Sequence, residues 1–194
     1  MWPIHHQKPP NEPYIWIKNV FTDEEIARII AIGKSKPSVD GGVENKDQDA
    51  QWARRSKISW IGPDASTVFI FERLTDAITK VNKAFYDYEL TQIEDLQFSE
   101  YDESYQGMYR NHTDDGYDSN HYRKLSFTLQ LSDPSDYEGG DLNIYRFKLD
   151  EPMTVKKEKG MLAAFPSWSI HEVTPVTKGT RYTLVGWVHG PKFR

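Results

Sequence analysis

The 194-residue sequence predicts a mainly β chain of the α+β class, an antiparallel sandwich or jelly roll with helices on one side. Three observations predict it. Two stretches of helical periodicity lie in the first half of the chain. Past Glu89 the helical pattern gives way to short strand-like segments. Glycine, proline and aspartate turns separate those segments at short intervals.

Residues 1–13 are polar and punctuated by proline, a loose N-terminus with no apolar segment of the signal-peptide kind. Residues 14–20 alternate as a short strand. Thr22-Asp23-Glu24-Glu25 then reads as a capping box, in which Thr22 caps the helix and Glu25 reaches back. Ile26, Ile29, Ile30 and Ile32 follow at helical spacing, and Gly33 is expected to end the run. Residues 34–53 hold Pro37, Gly41 and Gly42 among polar residues with no apolar period, which predicts a long loop, a candidate mobile lid. A strand is expected over 54–61, and Gly62-Pro63-Asp64 breaks it. Residues 67–88 form the strongest predicted helix, with Phe71, Leu74, Ala77, Ile78, Val81, Ala84 and Phe85 on one stripe. Further strands are expected at 96–101, 108–112, 124–131, 142–145, 153–157, 161–165 and 182–189. The sequence shows no internal repeat, so residues 1–194 read as one domain.

Composition excludes several classes. There is no cysteine, so no disulfide framework and no thiolate metal site. Any metal must sit on histidine, carboxylate or backbone oxygen. A net charge of -5 with both signs interspersed lacks the basic footprint of a nucleic-acid binder. No apolar run reaches the about 18 residues of a membrane span. The expectation is a cytoplasmic protein, a monomer or weak oligomer, with neither nucleic acid nor membrane as partner.

His112-Thr113-Asp114 is a His-x-Asp motif, weak by itself. Its setting is better, because residues two apart at the end of a strand share a face and can converge on one ion. A facial triad of two histidines and one carboxylate needs a further histidine, and His121, His171 and His189 lie downstream. His171 sits in an apolar setting, where a hydrogen-bonded core histidine is the ordinary explanation. Arg181, ten positions on (181 − 171 = 10), shifts the balance. It shares a strand face with Thr183, Val185 and Trp187, so its planar guanidinium needs an anionic partner, and a dicarboxylate would supply one.

With these residues in place, the stretch from about Gln97 to Trp187 resembles the prolyl 4-hydroxylase-like branch of the Fe(II)/2-oxoglutarate oxygenases. The matching pieces are Tyr101, Tyr109-Arg110-Asn111-His112-Thr113-Asp114, residues 125–132 and Tyr137-Glu138-Gly139-Gly140-Asp141-Leu142. Phe165-Pro166, His171-Glu172-Val173-Thr174-Pro175-Val176 and Gly179-Thr180-Arg181-Tyr182 complete them. The C-terminal half is also similar to bacterial PKHD-type hydroxylases.

The resemblance implies a double-stranded β-helix (jelly roll) core with N-terminal supporting helices. It also implies His112, Asp114 and His171 as the iron ligands and catalytic centre, and Arg181 with Tyr101 as the binders of the distal carboxylate of 2-oxoglutarate. Trp187 and Tyr109 would stand on the substrate side near the metal. Where the family often has a tyrosine, this chain has Gln130. Arg54-Arg55-Ser56 resembles an Arg-Thr-Ser stretch of prolyl hydroxylases, which implies Arg55 as a substrate residue. The implied cofactors are Fe(II), 2-oxoglutarate and O2, with ascorbate as reductant. The implied reaction is hydroxylation of an unactivated C–H bond, with a proline-containing peptide or protein as the first choice of substrate. An oxygenase of a free amino acid or other small molecule is one alternative. A non-catalytic metal-binding jelly-roll module is the other, and a clamp at Arg181 argues against it.

Overall fold

The computed structural model describes residues 13–41, 50–115, 122–145 and 151–191. The N-terminus expected to be loose (but for Pro13), the middle of the expected lid and His121 fall outside the described residues.

The first helix, Asp23–Ser35, begins as the sequence dictates. Glu25 N donates to Thr22 Oγ1 at 3.2 Å and Thr22 N donates to Glu25 Oε2 at 2.9 Å, which satisfies two amide donors the helix cannot. The helix does not stop at Gly33. That glycine is instead a contact point: a Cβ there would lie 2.3 Å from the Phe98 ring, and its carbonyl accepts from Ser59 Oγ at 2.8 Å. The second helix, Val68–Val81, runs into a π-helical turn, Asn82–Tyr86, rather than continuing to residue 88. The Asn82 side chain bonds both the N–H and the carbonyl of Tyr88, and Asp87 turns left-handed with φ 54°.

Two antiparallel sheets follow. The larger runs Ile15–Ile17, Leu162–Pro166, Arg123–Gln130, Val176–His189, Leu96–Asp102, Lys57–Ile61 and Val39–Asp40, with Gln92–Ile93 and Tyr137–Gly139 also paired to Val176–His189. The smaller runs Met153–Thr154, Leu142–Ile144, His171–Val173, Met108–His112 and Arg54–Arg55. The expected strand over 54–61 is therefore two. Arg54 and Arg55 pair with Tyr109 and Met108 in the smaller sheet, and past Ser56 the chain crosses to the larger one. The expected loop over 34–53 also has structure at its described ends. Val39–Asp40 pairs with Ile58 and Lys57, and Ala50–Ala53 forms one helical turn.

Strict alternation divides the layers. Leu125, Phe127 and Leu129, with Leu96, Phe98, Leu184 and Val188, turn outward onto Ile26, Ile29, Ile70, Leu74 and Ile78 of the helices. The opposite face of the larger sheet meets the smaller sheet across a second core containing Tyr101, Leu142, Phe165, Val173 and Val176. This is a jelly roll supported by N-terminal helices, and the polar side chains of its strands face the space between the sheets.

Candidate active site

That space holds a cavity of about 270 Å³. The larger sheet contributes Gln97, Tyr101, Thr128, Arg181, Thr183, Val185 and Trp187, and the smaller contributes Arg54, Tyr109, His112, Leu142, His171 and Val173, with Asp114 just beyond. The face expected from alternation, Arg181 through Trp187, lines it in full.

At one place three candidate ligands meet. The donor atoms of His112, Asp114 and His171 lie within 4.8 Å of one another. His112 Nε2 is 3.7 Å from Asp114 Oδ1, and His171 Nε2 is 3.5 Å from Asp114 Oδ2. Strand pairing sets this up, because His171 is the cross-strand partner of His112. Each imidazole is oriented by the carbonyl two residues before it: His112 Nδ1 donates to Arg110 O at 2.7 Å and His171 Nδ1 to Ser169 O at 2.9 Å. With Nδ1 carrying the proton, both Nε2 lone pairs are directed at the cluster.

The local electrostatics favour a cation. Burial, together with the neighbouring His171, pushes His112 down to about 3, so the ring is a neutral donor at ordinary pH. Burial acts to raise Asp114, but His171, His112 and the Ser126 hydroxyl outweigh it and hold the carboxyl below its usual range. Tyr109 stacks on His112 with ring centroids 3.5 Å apart, and burial raises its phenol to about 12. Two imidazole nitrogens and one carboxylate form a donor set that suits a divalent ion such as Fe(II) and leaves coordination positions open.

Arg181 is buried at 4% exposure, its guanidinium 5.5 Å from the centroid of the Tyr101 ring across the strand pair. Among the described residues no carboxylate forms an ion pair with it. Among the described residues the buried Trp187 Nε1 finds no well-formed hydrogen bond, and it lies near enough to Asp114 to help lower that carboxyl. A buried guanidinium with no carboxylate partner among the described residues, sharing one cavity with an indole N–H, is what an anionic, oxygen-rich ligand would satisfy.

Arg55 does not line the cavity. Its Nε and NH2 groups donate to the main-chain carbonyls of Tyr105 and Gln106, so the pleat turns Arg54 inward instead. Arg54 stands over the Tyr109 ring at 4.5 Å. His189 belongs to a different cluster, with Nε2 2.6 Å from Glu94 Oε1. Gln130 donates to the Tyr137 hydroxyl and to Ser132 O. Sequence reasoning missed Arg123, which lies over Trp187 at 3.9 Å and is gripped by both oxygens of Glu94 at 2.6 and 2.7 Å. Trp60, 6.1 Å from Trp187, also lines the cavity.

A jelly roll with two histidines and a carboxylate converging beside a buried arginine defines the class of the 2-oxo-acid-dependent iron oxygenases. Residues 96–189 match the 2OG-Fe(II) oxygenase superfamily. A PKHD-type hydroxylase of Acaryochloris marina is 32% identical over 176 residues, 89% of this chain and 76% of that protein. The chain belongs to this superfamily. A PKHD-type hydroxylase of Picosynechococcus is 46% identical over 80 residues, but that match spans only 36% of its length. Among solved structures, a prolyl hydroxylase from Trichoplax adhaerens in complex with a hypoxia inducible factor peptide fragment has a TM-score of 0.75 at 20% identity. The match covers 93% of this chain and 84% of that one, a likeness of fold.

Proposed function

We propose that the chain is a 2-oxoglutarate-dependent dioxygenase that hydroxylates an unactivated C–H bond, and that its substrate is a prolyl residue of a peptide or protein. One observation carries the reading: a cluster of two histidines and a carboxylate shares a single cavity with a buried arginine that has no carboxylate partner among the described residues.

In this reading His112, Asp114 and His171 hold Fe(II). Arg181 grips the distal carboxylate of 2-oxoglutarate as a planar fork, and Tyr101 closes that end. When bound, the iron and 2-oxoglutarate supply the oxidising power by oxidative decarboxylation of the cosubstrate to succinate. The protein supplies position and exclusion. Fixing the distal end of the cosubstrate would orient its 2-oxo end toward the three ligands. Trp187, Tyr109, Phe165 and Val173 keep bulk water off the reacting centre. The polar groups on the substrate side, Arg54 and Arg123, are oriented by stacking on Tyr109 and Trp187, which suits main-chain carbonyls of an extended peptide. The peptide-bound prolyl hydroxylase of matching fold supports the prolyl choice.

The test is mass spectrometry of proline-containing peptides incubated with the protein, Fe(II) and 2-oxoglutarate. A gain of one oxygen on proline is expected, and it should be absent when 2-oxoglutarate is omitted. Oxygen gained only on another residue, or only on a free amino acid, would replace the prolyl assignment.

A further inference from the structure

Asp114 poses a mechanical problem. It lies past the end of the strand Met108–His112, so the ladder that fixes His112 does not extend to it, yet it is buried at 8% exposure. Something other than its own strand must hold the carboxylate.

Two fully buried serines from the larger sheet and the turn after it meet that need. Ser126 Oγ donates to Asp114 Oδ2 at 2.6 Å, and Ser167 Oγ lies 3.0 Å from Ser126 Oγ. Ser167 also accepts the Asp114 main-chain N–H at 2.8 Å, while its own N–H is anchored on Lys124 O at 3.1 Å. The turn carrying Ser167 continues through Ser169, which orients the His171 ring, to His171 itself. The segment that delivers one candidate ligand therefore braces another.

Resting on the metal reading above, we infer that Ser126 is a positioning residue that keeps Asp114 a one-oxygen ligand. The physical reason is the count of coordination positions. Three protein donors on a six-coordinate ion would leave three positions for the cosubstrates. A carboxylate that swung both oxygens onto the metal would take a fourth and leave too few. The short hydroxyl bond on Oδ2 opposes that swing, because Oδ2 would have to leave a charge-assisted hydrogen bond in a buried site where Ser126 has only Ser167 as another partner.

The test is calorimetric titration of the full chain with Mn(II), as an O2-inert probe, and then with 2-oxoglutarate at saturating Mn(II). Ser126→Ala is expected to weaken Mn(II) roughly 10- to 100-fold. It should also weaken 2-oxoglutarate severalfold once metal is saturating, with only a modest drop in the melting midpoint of the metal-free protein. Ser126→Thr, which keeps the hydroxyl, should recover most of the affinity. Wild-type Mn(II) and 2-oxoglutarate affinities in Ser126→Ala would overturn the inference while leaving the metal site intact. So would a loss of metal that tracks a lowered melting midpoint in both variants. Failure of the wild-type chain itself to bind Mn(II), with His171→Ala no different, would instead overturn the metal reading on which the inference rests.

Discussion

Arg181 is tied to function more tightly than any other single side chain, because a buried guanidinium without a carboxylate partner among the described residues stabilises little until an anion arrives. Arg181→Ala should therefore leave Mn(II) affinity intact and weaken 2-oxoglutarate by ~2–3 kcal/mol, a loss of roughly 30- to 150-fold in a competition titration. Equal loss of metal and cosubstrate would mean that the site had collapsed. The face holding Arg181 was legible in the sequence because the alternation from Arg181 to Trp187 leaves one assignment of inside and outside. Arg54 and Arg55 show the limit. Their strand is two residues long, so nothing local says which of them the pleat turns inward. Arg123 was illegible for another reason: its place over Trp187 depends on Glu94, 29 residues earlier in the chain.

At the scale of elements, the first helix is held against the larger sheet at Gly33. Gly33→Ala would drive a methyl group into the Phe98 ring, and the stacked Phe98–Tyr182 pair at 5.5 Å leaves that ring little room to yield. The expected cost is ~1–3 kcal/mol, measured as a lower urea midpoint with an unchanged slope. An unchanged midpoint would show that the helix can shift outward without loss. The start of this helix was plain from the sequence, since a capping box is a local signal. Its end was not, because a glycine that stops a helix and a glycine that admits a neighbouring ring look alike until Phe98 is placed. The strands His171–Val173 and Tyr137–Gly139 were missed for a related reason, as three residues carry too little alternation to be seen.

Across the whole molecule, Glu94 ties three separate parts of the chain together. It grips Arg123 at the start of one central strand and His189 at the end of its neighbour. Burial acts to raise this carboxyl, but Arg123 and His189 outweigh it and hold it below the ordinary range. A carboxyl depressed on folding contributes stability that is fully present above its unfolded pKa and is lost as pH falls through the folded value. Glu94→Gln should therefore cost roughly 1–3 kcal/mol at neutral pH, between exposed and buried ion pairs. The gap to the parent should close as pH falls below the carboxylate range, where Glu94 is itself neutral. A gap independent of pH, followed by chemical denaturation at several pH values, would show that the pair contributes through packing alone. Helical support and the two sheets were readable from local patterns, whereas the ligand set came from the resemblance, since His112-x-Asp114 alone is a weak signal. The brace at Glu94 and the crossing at Ser56 were not readable, since both arise only when distant segments meet.

The central claim is that one cavity joins a metal to a 2-oxo acid, and succinate formation tests it most directly. Purified protein given Fe(II), ascorbate and 2-oxoglutarate should release succinate slowly even without a second substrate. The His171→Ala and Arg181→Ala variants should release none above background. No succinate from the parent chain, together with no detectable binding of 2-oxoglutarate in the presence of metal, would contradict the account.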